Sequence, residues 1–129
     1  MGNNHVQIIQ FGVEGAITAN ATTYLYPGNG ATTTNEPRIR IPWAGTLRHL
    51  YVYQRVASGA VGRTDIYTLR KNGVDQAITC TLNNSQTGQD TSNTVSVTTG
   101  DQISIKLVSN NAADTSADVA VSIVLQSDQ

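Results

Sequence analysis

The chain has 129 residues, a formal net charge of −1 and only 13% charged side chains, against roughly 25% in most globular domains. That length supports one domain with one modest core, and the near-neutral charge excludes a global basic field for nucleic acid or an anionic membrane surface. The lone cysteine, Cys80, excludes an intrachain disulfide and any cysteine-based zinc site.

The opening MGNNHVQIIQFG has no basic region followed by a long apolar run, so no secretory signal is expected. Gly2 precedes Val6 where a myristoylation motif carries Ser or Thr. No stretch approaches the roughly 18 apolar residues of a membrane helix, and no membrane partner is expected. Val6 to Phe11 begins a strand, and Thr22 to Tyr26 forms another before the turn PGNG. AITANATT and ATTTNEP, rich in Ala, Thr and Asn, favour loops. Residues 1–35 are therefore expected as an N-terminal strand and an extended, arm-like segment, with 36–129 forming the body of the same single domain.

From Pro37 the alternation tightens. Arg38-Ile39-Arg40-Ile41 places two guanidiniums on one face and two isoleucines on the other, and Pro42 ends this strand at an edge or corner. Thr46 to Val56 is a long strand with Leu50, Val52 and Val56 on one side and Leu47, Tyr51 and Tyr53 on the other, so both faces are expected to be half buried. Asn72-Gly73 suits a two-residue type I′ hairpin turn. That turn sets Lys71 opposite Val74, Arg70 opposite Asp75 and Tyr67 opposite Ile78. Tyr67, Leu69, Val74, Ile78 and Cys80 then share one face, and Arg70 with Asp75 makes a cross-strand charge pair worth about 0.2–1 kcal/mol. A long polar connection, NNSQTGQDTSN, follows, and strands resume at Thr94 to Val97, Ile103 to Leu107 and Val119 to Leu125. Eight to ten strands and no convincing helix predict an all-β fold, an antiparallel β-sandwich.

Little chemistry is on offer. His5 and His49 are far apart and poor in nearby carboxylates, so no metal site is expected. Asp114 and Asp118 could share an ion with loop carbonyls, against the simpler reading of two solvated acids. GAVGR lacks the spacing and ending of a phosphate loop, nothing resembles G-x-S-x-G, and Cys80 reads as a small packed hydrophobe. An enzyme is not expected, and no cofactor is. Arg38, Arg40, Arg48 and Arg55 with Tyr51 and Tyr53 combine cations with aromatics, but the net charge and the expected burial of both tyrosines argue against nucleic acid. Trp43 is the strongest aromatic candidate for sugar stacking, set against a role as a corner plug. Seven of the eight Lys and Arg lie between positions 38 and 71, and six of the nine acids follow. A basic middle and an acidic end can pair within one chain or between copies.

RIRIPWAGTLRHLYVY, TLRKNGVDQAITCTL and VSVTTGDQISIKLV, in the portion from Arg38 onward, resemble the small jelly-roll modules of phage particles and of trimeric surface proteins. RKNG leading into a second strand, then V-x-x-G-D-x-I-x-I-K, is similar to phage capsid decoration (cement) proteins and tail-fibre heads. The layout is also similar to complement-type and tumour-necrosis-factor-like jelly rolls. The resemblance implies a homotrimer on the capsid exterior that binds the major capsid protein and stabilises the shell. The alternative it implies is a receptor- or carbohydrate-binding fibre head, with a glycan as partner. Candidate partner contacts under either are Val6, Ile8, Phe11, Arg38, Arg40, Trp43, Tyr51 and Tyr53.

Overall fold

Strands that alternate apolar and polar residues have one face that must leave water, and two sheets satisfy this by covering each other. The computed structural model, which describes residues 5–128, contains eleven strands in two antiparallel layers. The first sheet is built on β1 (Val6–Ala16), β11 (Ala117–Ser127) and β5 (Gly45–Val56), bordered by β3 (Tyr26–Pro27) on one side. On the other side β8 (Thr87–Asp90) and β9 (Val95–Val97) succeed one another along β5. The second sheet runs β10 (Gln102–Ser109), β6 (Thr64–Lys71), β7 (Val74–Asn83), with β2 (Thr22–Tyr24) and β4 (Ile39–Arg40) both on the free side of β10. The expected antiparallel sandwich is the observed fold, with short pieces raising the strand count above ten.

The core fills the space between the layers. Ile9, Phe11, Val13, Leu47, Leu50, Val52, Val121, Ile123 and Leu125 project from the first sheet, and Tyr67, Leu69, Ile78, Leu82, Ile103, Ile105 and Leu107 from the second. Residues expected to be arm-like are part of this body. β1 pairs with β11 from Val6 to Ala16, and Phe11, Val13, Ile17 and Leu25 are all buried. Gly2, set above against a myristoylation motif, lies outside the described residues.

Local chemistry explains three departures from simple alternation. First, the Asn72-Gly73 turn forms with Lys71 opposite Val74 and Arg70 opposite Asp75, but a bulge then sets Tyr67 opposite Cys80 rather than Ile78. The shift is even, so Ile78, Cys80 and Leu82 keep the core side, while Val74 is exposed beyond the covering sheet. The turn is also tied to β10: the Asn72 side chain receives the Gln102 amide at 2.9 Å and donates to Asp101 at 3.0 Å.

Second, the polar connection after β7 holds a strand, β8. Gly88 lets it lie close to β7, since a Cβ there would sit 2.6 Å from Cys80 Sγ. Asp90 then fastens β8 to the edge of β7. Its carboxylate accepts the amides of Thr79, Ser92 and Asn93 and the Asn93 side chain at 2.9–3.1 Å. Burial alone would raise its pKa, but these bonds hold it at about 2.

Third, β5 carries one residue more than β11. Ser122 pairs with Tyr51 and Val124 with Arg48, so Ile123 faces both His49 and Leu50. His49 takes the extra turn with φ of 57°. The alternation changes phase there: Leu47 joins Leu50, Val52 and Gln54 inside, and Tyr51 and Tyr53 face out. The expectation that both faces of this strand are half buried is therefore corrected. One face is core, the other is surface.

A left-handed backbone is open to glycine, tolerated by histidine and strained for a β-branched residue. His49→Val is expected to lower unfolding free energy by about 1–2 kcal/mol, and His49→Gly to leave it unchanged or raise it, measured by urea denaturation. Equal losses in both variants would show that the imidazole, not the backbone, matters at this position.

Candidate functional site

Following the registers across the first sheet assembles its outer face in rows. Val6, Gln126 and Thr46 form one row, Ile8, Val124 and Arg48 the next. Gln10, Ser122, Tyr51 and Gln89 follow, then Tyr26, Gly12, Ala120, Tyr53 and Thr87. Beyond these, Arg55 and Asp118 close the face with an ion pair. The face thus grades from aliphatic through aromatic to ionic along the strands.

Small residues on the central strands make its middle concave. Gly12 runs under the PGNG turn, where a Cβ would meet the Gly28 carbonyl oxygen at 2.7 Å, and Ala120 and Ser122 add little height. Tyr51 and Tyr53 rise on one side and Asn29 on the other, enclosing an open concavity of about 920 Å³. Gln10, Gln89, Arg55 and Asp118 supply its hydrogen-bonding groups. Asp118 is organised by the fold: Gly15 donates its amide at 2.8 Å and Arg55 its Nε at 2.8 Å. The Gly15 amide and then the Arg55 guanidinium hold the Asp118 carboxyl below its ordinary pKa.

Of the candidate contact residues, the fold brings four onto this face. Val6 and Ile8 are each 62% exposed, and Tyr51 and Tyr53 each 46%. Phe11 is 1% exposed in the core, because it follows the inward parity of β1, and cannot touch a partner. Arg38 and Arg40 lie on the other sheet. Arg38 pairs with Glu36 at 3.2 Å and donates to Gln102 at 3.1 Å, within a network that includes Arg70, Asp75 and Lys106. Trp43 is half buried against the core at a corner, its ring 5.6 Å from that of His5. The exposure of Tyr51 and Tyr53 reverses the burial expected from alternation.

Seven large apolar side chains are exposed among the described residues, and five of them, Val6, Ile8, Tyr26, Tyr51 and Tyr53, occupy this face. Asp114 and Asp118 do not meet over an ion: Asp114 is buried and accepts from Ser109 and the Ser116 amide. Among the described residues no cluster of three or more His, Cys, Asp or Glu could hold a metal ion. Sequence reasoning missed the Arg55–Asp118 pair and a buried acid pair, Asp65 with Asp114, because their partners are distant in the chain. The concentration of bases before acids was the available signal, and Arg55–Asp118 is one contact it foreshadowed.

No protein-family model matches the chain, and no curated protein matches its sequence. Its structure is similar to that of murine APRIL, with a TM-score of 0.51 and 10% identity over 92% of this chain and 98% of that one. It is also similar to Eiger TNF from S. frugiperda (TM-score 0.48, 10% identity, 96% and 94% covered). A family 35 carbohydrate-binding module from Clostridium thermocellum gives 0.43 and 11% identity over 95% and 98%. At such identities the likeness is one of fold. The fold and the face together define an antiparallel jelly-roll sandwich that carries an apolar, concave outer sheet surface.

The remaining nucleophile is packed away. Burial, then the nearby Asp90 charge, pushes the Cys80 thiol up to about 11. Cys80 is expected to resist a thiol-reactive dye at pH 8 in the folded protein and to react fully in denaturant. Rapid labelling of the native state would show that β8 does not stay seated over β7.

Proposed function

We propose that this protein is a non-enzymatic structural module that associates with copies of itself as a homotrimer through the outer face of the β3-β1-β11-β5-β8 sheet. The proposed setting is the exterior of a phage capsid, bound to the major capsid protein as a decoration protein. One observation carries the self-association: five of the seven exposed large apolar side chains among the described residues share that face. Monomeric proteins rarely leave such patches contiguous, and their burial favours association. In a closed three-fold ring the contact is heterologous, so this face supplies one half of an interface that repeats around the ring against a different surface of each neighbour. The capsid setting rests on the resemblance of RIRIPWAGTLRHLYVY and the strands after it to decoration proteins, and a multivalent ring suits adhesion to a repeating shell.

A second reading, a glycan-binding fibre head, is favoured by the concavity, where Tyr51 and Tyr53 stand beside Gln10, Gln89, Arg55 and Asp118. Aromatic faces with convergent hydrogen-bonding groups are what a sugar requires. The two readings compete for one surface.

Native mass measurement is expected to give a trimer for the wild type. Ile8→Glu and the double variant Tyr51→Ser/Tyr53→Ser should raise the dissociation constant by about 100-fold or more while keeping the β-sheet circular dichroism, since these side chains lie outside the core. Wild-type protein should co-sediment with purified capsids and ignore a glycan array. A strict monomer at high concentration would remove the trimer. A glycan signal lost in the tyrosine variant would move the assignment to the fibre head.

A further inference from the structure

Beneath the ionic end of the outer face lies a buried polar cluster around Asp65 and Asp114. Asp65 at the start of β6 is 0% exposed, and Asp114 and Ser116, from the connection between β10 and β11, are also buried. Ser116 donates its hydroxyl to Asp65 Oδ2 at 2.6 Å and its amide to Asp114 Oδ1 at 2.9 Å. Ser109 donates to Asp114 Oδ2 at 2.8 Å. Gln54 Nε2 reaches Ser116 Oγ at 3.3 Å, and Tyr67 donates its hydroxyl to Gln54 Oε1.

One carboxylate oxygen is left over. Asp65 Oδ1 is buried and receives no hydrogen bond from the described residues, beside a second carboxyl group, Asp114. An unpaired buried charge is costly and two adjacent ones more so. No cation relieves them among the described residues: Arg63, from the connection before β6, spends its Nη1 on the carbonyls of Ser58 and Ala113. β5 presents neutral Gln54, and β6 adds only the Tyr67 phenol, itself driven up by burial and then by Asp65 and Asp114. A proton shared between the Asp65 and Asp114 carboxyl groups relieves the facing charges and gives the leftover Asp65 oxygen a role as donor.

We propose that Asp65 and Asp114 share one proton and act as a pH-sensitive latch, tying the β10–β11 connection to β6 and so holding Asp118 at the rim of the outer face. The second half of this proposal rests on the self-association reading; the latch itself does not. Burial, then the neighbouring Asp114, lifts Asp65 from 3.8 to about 7. For Asp114, burial acts upward, but the hydrogen bonds from Asp65, Ser116 and Ser109 outweigh it and lower its pKa. Between about pH 4 and 7 the folded chain therefore keeps a proton that the unfolded chain has released. Stability falls as pH rises through that window and levels off above it, with the folding constant changing by at most about tenfold per pH unit for one proton. The lowered Asp114 contributes in the opposite sense only below its unfolded value.

The test uses the full chain. Carboxyl-carbon NMR of the wild type is expected to show an Asp65 titration midpoint near 7, and a midpoint near 4 would overturn the latch. Urea denaturation at pH 5 and pH 8 should show lower stability at pH 8 for the wild type. Asp65→Asn keeps a donor toward Asp114 and should abolish that difference; a difference that persists unchanged overturns the proposal. Should this variant fail to fold, Asp114→Asn is expected to shrink the difference without abolishing it, since it removes the facing charge but leaves Asp65 buried, and an unchanged difference again overturns the proposal. Native mass at the two pH values should show weaker trimers at pH 8 in the wild type alone. A pH-dependent stability with no trimer at either pH would leave the latch standing and remove the self-association. A stable trimer with no pH response would do the reverse.

Discussion

The surface of this molecule depends on how β5 packs against β11 around one extra residue. Ile123 faces both His49 and Leu50, and the left-handed turn at His49 reverses which parity of β5 points inward. Without that bulge Leu47 would share a side with Tyr51 and Tyr53, and one sheet face would have to be both core and surface. With it, Leu47, Leu50 and Val52 complete the core, while Arg48, Tyr51, Tyr53 and Arg55 line the exterior. Bulges re-aim side chains in this way at some cost in backbone strain, and here the re-aimed groups are the aromatic centre of the candidate face.

The same constraint marks how far the sequence could be read. Alternation and turn chemistry are local, so the all-β fold, the Asn72-Gly73 hairpin and the Arg70–Asp75 pair, found at 3.0 Å, were legible. Bulges are not encoded by alternation. The β5 bulge concealed the exposure of Tyr51 and Tyr53, and the β6–β7 bulge moved Tyr67 from Ile78 to Cys80. AITANATT and ATTTNEP suggested an extended, arm-like segment after an N-terminal strand, and that strand proves integral, with nine residues of Val6–Ala16 partnered in β11, more than a hundred positions away. Pairing at that separation leaves no local sign. The acid pair was hidden for the same reason: Asp65 and Asp114 are 49 positions apart in the sequence, and only the fold buries them side by side.

Low charge content gives these few ionic contacts disproportionate weight. Asp90 secures β8 to β7, Asp118 joins β1 to β5 through Gly15 and Arg55, and Asp114 fixes the connection leading into β11. Each carboxylate sits where strands or their connections would otherwise present unsatisfied amides. These three acids therefore serve as clasps at the ends and edges of the sandwich, consistent with the rule that buried polar groups must find partners. The Asp65–Asp114 pair differs because its donors are one too few for two full charges, which is what makes a proton part of its structure.

The extent of the outer face bears on the choice between a ligand and a copy of the chain. A sugar seated over Tyr51 and Tyr53 would cover the concavity but leave Val6 and Ile8 in water, since those side chains lie one and two rows beyond it, away from Arg55 and Asp118. Apolar burial scales with area, and a side chain of this size contributes about 1.5–3 kcal/mol when fully covered. An occupant that spans both the aliphatic rows and the aromatic rows recovers more of that free energy than one confined to the groove. A surface as long as the strands is what another copy of the chain supplies, and this favours self-association over a bound glycan as the occupant of the face.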